Sequence, residues 1–153
     1  MTREQFLHRL EKAWTAFKDS YGGLTPSELG EPGVVKHWSV KDLIAHVTTW
    51  EAEALKHLPA ILEGRRPPRY SVTYGGIHAF NAQMAAQKAN LSLAEVVRDQ
   101  EQTHRRLIDL VKRVPEDRFA RETRVRRRLR LDTYAHYPGH TRAILRWRQL
   151  RRV

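Results

Sequence analysis

The chain has 153 residues, the length of one domain, and can bury a core without disulfide staples. It has no cysteine, which excludes disulfides, thiolate zinc sites and cysteine nucleophiles and suits a reducing cytoplasm. Lys and Arg number 28 against 17 Asp and Glu, a formal charge of +11; this fits the ionised surface of a thermostable protein or an attraction to anions, and names no partner alone.

The start, Met1-Thr2-Arg3-Glu4, is charged and no long apolar run follows, so we expect no signal peptide, no membrane span and a cytoplasmic location. Thr2 and Gln5 have capping-box spacing, which predicts a helix start. Phe6, Leu10, Ala13, Trp14, Phe17 and Tyr21 then form one apolar face, ended by Gly22-Gly23. Ser39 is the expected N-cap of a second helix, with Trp38 and Leu43 as a hydrophobic staple. Val40, Leu43, Ile44, Val47, Trp50, Ala54, Leu58 and Ile61 extend it towards Gly64, with Pro59 expected to kink or end it locally.

Arg65-Arg66-Pro67-Pro68 reads as a connection, and a shorter helix is expected over Ile77 to Lys88. Ser92 and Glu95 again have capping-box spacing, opening a third long helix that Pro115 ends. Arginines alternating with Val125, Leu129 and Leu131 suggest an extended connection or short strand over Arg124 to Leu131. A last helix is expected from about Asp132 to the C-terminus, with Ile144 and Trp147 inward. No repeat or low-complexity linker divides residues 1–153, so we expect a single all-α domain, a four-helix bundle with long connections and an additional short helix.

His46 lies on the apolar face of the second helix, between Leu43 and Trp50. His136 and His140 are four apart, on the stripe that continues to Ile144 and Trp147. Such spacing places two imidazoles about 5–6 Å apart at Cβ. Metal–imidazole bonds of about 2.0–2.1 Å require a third ligand from a facing helix, which His46 can supply. Pairs of histidines four apart also arise by chance, and inward histidines are commonly just hydrogen-bonded. Pro138 lies between the pair. We expect a continuous helix kinked there; a helix beginning at Tyr137 or Pro138 would leave His136 outside it and break the spacing.

The block from Trp38 to Glu51, Trp-Ser-Val-Lys-Asp-Leu-Ile-Ala-His-Val-Thr-Thr-Trp-Glu, followed by Phe80-Asn81-Ala82 and Thr133-Tyr134-Ala135-His136-Tyr137-Pro138-Gly139-His140, resembles the DinB-like superfamily. Within it, the likeness is to the ClbS/DfsB-like branch. The resemblance runs from Leu24 to Arg148 and implies a bundle with a divalent metal on His46, His136 and His140. It also implies a family of metal-dependent hydrolases, low-molecular-weight-thiol transferases and self-protection proteins, and a possible homodimer.

Three imidazoles leave coordination positions open, as catalytic sites do. Taken with the resemblance, which implies the activity, the expected function is a metal-dependent hydrolase or thiol transferase acting on a small molecule in detoxification or stress protection. Zn, Ni, Fe or Mn would suit the ligands, and Mg and Ca would not. Trp50 is a candidate pocket wall; Asn81, Glu53, Tyr134 and Tyr137 are candidates to orient substrate or move protons. A paired carboxylate at the stripe's edge is the plainer reading of Glu53. His57 stands too far along the helix to share the ion, His104 reads as a core or pocket residue, and His8, His37 and His78 read as surface histidines. The alternative is a bundle that sequesters a small molecule without catalysis. No specific nucleic-acid partner is expected, because the aromatics are spaced as core residues and no DNA-binding signature is present.

Overall fold

The computed structural model describes residues 1–153. Its helices are α1 (Arg3–Ser20), α2 (Pro26–Leu29), α3 (Val40–Leu62), α4 (Tyr70–Thr73), α5 (Ile77–Lys88), α6 (Leu93–Arg113), α7 (Arg124–Asp132) and α8 (Tyr137–Arg151), with a 3-10 turn at Glu116–Arg118. The four long helices form the bundle: α3 packs on α6 and α8, while α1 packs on α8 and α6. The short α5 and α7 also lean on α3, which makes α3 the shared wall of the molecule.

The apolar stripes become one connected core. Phe6, Leu10 and Phe17 of α1 meet Leu43, Ile44, Val47 and Leu58 of α3, Leu107 and Val111 of α6, and Ile144 of α8. Full burial of one such side chain is worth about 1.5–3 kcal/mol, so this interior outweighs any single cap or ion pair.

Local chemistry sets the helix ends. Thr2 Oγ1 accepts from the Gln5 N–H at 3.0 Å while the Thr2 N–H donates to Gln5 Oε1 at 2.9 Å, completing the expected box. Ser39 and Asp42 form the same reciprocal pair at the start of α3, the helix that carries His46. At α6 only half of the expected box forms, with the Glu95 N–H donating to Ser92 Oγ. The end of α3 is a Schellman closure: Gly64 N–H donates to Ile61 O at 3.0 Å and Arg65 N–H to Ala60 O at 2.9 Å. This needs a left-handed residue, and Gly64 has φ 81.

Two expectations are corrected and one is narrowed. Arg124 to Leu131 is neither extended nor a strand but the helix α7, capped by Thr123 Oγ1. Val125 and Leu129, four apart, are its buried stripe, whereas Leu131 is 46% exposed and belonged to no face. Of the two outcomes expected at Pro59, a kink or an end, the end does not occur, since α3 continues to Leu62. The last helix is not continuous from Asp132. It breaks between α7 and α8, where the N–H groups of His136 and Tyr137 both donate to Thr133 O, and Pro138 falls in the first turn of α8, where its missing N–H costs no bond.

Candidate metal centre

His136 stands at the N-cap of α8, outside the helix proper, yet with φ −98 and ψ −49 its backbone is already helical. The four-residue spacing to His140 therefore survives the break, contrary to the expectation that a helix starting at Tyr137 would destroy it. His46 arrives from α3. The Nε2 atom of His136 lies 3.1 Å from Nε2 of His46 and 3.0 Å from Nε2 of His140. One nitrogen from each ring falls within 4.8 Å of the others.

Two ligand atoms sharing an ion at about 2.1 Å lie about 3.0–3.4 Å apart for angles between octahedral and tetrahedral, so the two separations from His136 fit a single divalent ion. The electrostatics agree. Burial, then the neighbouring His136, His140 and Lys88, push His46 down to about 3. Burial and His140 push His136 down to about 3 as well, and burial lowers His140. All three rings are neutral at pH 7 and hold a lone pair for a metal.

Trp50, the expected pocket wall, packs beside the histidines without lining the cavity next to them. Its indole lies 6.4 Å from the His136 ring, edge to face, and its Nε1–H donates to Asn81 Oδ1 at 2.9 Å. That bond fixes the Asn81 side chain, which lines an open cavity of about 680 Å³ together with His46, His140 and Trp38. The Trp38 ring packs 5.0 Å from His46. Alanines of α5 complete an apolar side to this cavity.

The other expected residues lie elsewhere. Glu53 accepts from the Tyr70 hydroxyl at 3.0 Å and faces His57 at 3.5 Å, in a cluster that Tyr70 shares with Arg128. Tyr134 packs its ring 5.1 Å from Phe6. Tyr137 is fully buried, its hydroxyl donating to Glu51 Oε1 at 3.1 Å. Neither tyrosine lines the cavity.

Other residues escaped the sequence reading. His37 and His78 are exposed, as expected, but also line the open cavity, as does Asp42, four residues before His46, although its Oδ2 is committed to Ser39. Lys88 is half-buried beside the site, where its ammonium donates to Thr49 Oγ1 at 2.7 Å and burial lowers its pKa. No periodicity reports which way a residue at a helix end will turn. Glu51 was detectable: it falls on the Val47–Ala54–Leu58 stripe and is fully buried. It meets His104 Nδ1 at 3.0 Å, whose Nε2 reaches Glu11 at 2.6 Å, while the His104 ring stacks on Trp14 at 3.8 Å.

A helical bundle presenting three histidines from two helices defines this molecule's class. The DinB superfamily model matches residues 9–143, and the chain belongs to that superfamily. No curated protein matches it in sequence. Among solved structures it is similar to an uncharacterised protein from Escherichia coli UTI89, with TM-score 0.82 and 15% identity over 99% of this chain and 95% of that one. It is similar to DfsB, described as a sibling lethal factor precursor, with TM-score 0.82 and 16% identity over 99% and 98%. It is also similar to the colibactin self-resistance protein ClbS, solved with double-stranded DNA, with TM-score 0.77 and 14% identity over 94% and 93%. At these identities the likeness is one of fold. No helix is long and apolar enough to cross a membrane.

Proposed function

We propose that the chain is a divalent-metal-dependent enzyme acting on a small molecule, as a hydrolase or a low-molecular-weight-thiol transferase in detoxification or stress protection. The observation that supports it is the convergence of three neutral imidazoles at the edge of an open cavity of about 680 Å³. His46, His136 and His140 would hold the ion. When bound, Zn, Ni, Fe or Mn on such ligands lowers the pKa of water or a thiol and polarises a carbonyl.

The chain's own residues supply the rest. Three uncharged ligands leave the ion its full positive charge, which favours an anionic nucleophile beside it. Trp38 and the α5 alanines exclude water along one side of a substrate. Asn81, whose oxygen is occupied by Trp50, keeps its amide N–H groups to donate to a substrate oxygen. Glu53, held by Tyr70, is not part of this machinery. Sequence-specific nucleic-acid binding is not part of this reading either.

Metal analysis of tag-free wild type against His136→Ala, purified identically, tests the proposal. About one divalent ion per chain, lost in the variant, supports it. Wild type that is metal-free and refuses added zinc, nickel and manganese leaves the non-catalytic, sequestering bundle as the better account.

A further inference from the structure

The arginines of α7 and of the connection after α3 are distant in sequence and adjacent in space. Arg66 and Arg69, flanking Pro67-Pro68, face Arg124, Arg127 and Arg128 across a groove of about 320 Å³ with no carboxylate in its lining. The ion pairs nearby account for other arginines. Glu122 takes Arg126 and Arg130, and Asp132 with Tyr70 takes Arg128. Arg66, Arg69 and Arg127 have no carboxylate within 4.0 Å, and Arg124 donates only to the Arg65 carbonyl.

Four like charges with no carboxylate in contact repel one another, Arg127 alone feeling Glu122 at longer range, so the arrangement favours an entering anion. Every cation in the lining is arginine, whose planar fork grips phosphate oxygens in pairs. The two prolines fix the backbone between Arg66 and Arg69, reducing the ordering that binding requires. Several separate forks suit phosphates in series better than one isolated anion.

We propose that this groove is a binding site for consecutive phosphate groups, carried by a free oligophosphate or by a nucleic-acid backbone. The site is separate from the histidine centre and does not depend on the metal reading.

Calorimetric titration of the full, chelator-treated chain at low salt, with inorganic tripolyphosphate and with a short mixed-sequence DNA duplex, tests it. The variants are Arg66→Ala/Arg127→Ala, a second groove pair Arg66→Gln/Arg69→Gln, and a charge-matched control, Arg105→Ala/Arg106→Ala on α6. We expect at least one probe to bind the wild type and to lose about tenfold or more in affinity in both groove pairs, with the control pair and His136→Ala close to wild type. Unchanged melting temperatures verify that the exposed substitutions leave the fold intact. Tripolyphosphate binding without duplex binding identifies a free oligophosphate. Duplex binding that tripolyphosphate displaces identifies the backbone as the source. Failure of both probes to bind, equal losses in groove and control pairs, or loss of binding in His136→Ala overturns the proposal.

Discussion

His136 connects the candidate centre, because its Nε2 is the atom that faces both other imidazoles. Its Nδ1 is buried with no hydrogen-bond partner. Metal-binding histidines are ordinarily anchored at that second nitrogen, and loss of the anchor weakens metal affinity about 10–100-fold. Packing against Trp50 and the neighbouring imidazoles must orient this ring instead. We therefore expect Trp50→Ala to keep the fold but weaken zinc binding measurably in a competitive chelator titration; unchanged affinity would show that the indole does not position the ring. His104 supplies the pH prediction. Burial opposes its imidazolium, but the hydrogen bonds and charges of Glu51 and then Glu11 outweigh that and raise its pKa above 6.5. The folded state then binds more protons than the unfolded one, so this stabilisation is complete below the unfolded value and disappears as pH rises through the folded one. Glu11→Gln, at a half-exposed position, should lower the His104 midpoint in an NMR titration and flatten the decline of melting temperature above neutral pH.

At the scale of the element, α3 bears the most, since it carries His46, Trp50 and Glu51 and packs against α5, α6, α7 and α8. Its N-terminus depends on the reciprocal bonds of Ser39 and Asp42. Ser39→Ala should destabilise the protein by about 0.5–2 kcal/mol, read from urea denaturation. The short α7 depends on tertiary burial instead. Leu129 is fully buried, so Leu129→Ala should cost about 2–5 kcal/mol, whereas exposed Leu131→Ala should cost far less; equal effects would mean that the buried stripe is misassigned. The sequence reading failed at α7 because three apolar residues among arginines fit two periods at once. Only contact with α3 selects the pair spaced by four over the pair spaced by two. By contrast, the expected Ile77–Lys88 helix agrees with α5 in both bounds, because Gly76 and the following run mark it locally.

Across the whole molecule, cations outnumber carboxylates to give the net +11, and much of that excess lies on α7 and α8. Mutual repulsion of exposed cations is screened by salt, so the melting temperature should rise between low and moderate ionic strength; a fall would mean that the surface ion pairs contribute more than the repulsion removes. The all-helical architecture, the caps of α1 and α3, and the inward placement of His46 were legible in the chain by itself. Periodicity and capping act over one or two helical turns, so the residues that determine them are close in sequence. The convergence of His46 with His136 was legible only as a requirement that some facing helix supply a third ligand. The break before α8 required the structure, because whether Pro138 kinks a helix or starts one depends on how Thr133 is buried and bonded. So did the placement of Glu53 with Tyr70 and Arg128, of Tyr137 against Glu51, and of the unpaired arginines around one groove. Those outcomes depend on which helix packs where across dozens of intervening residues, and no local spacing encodes that distance.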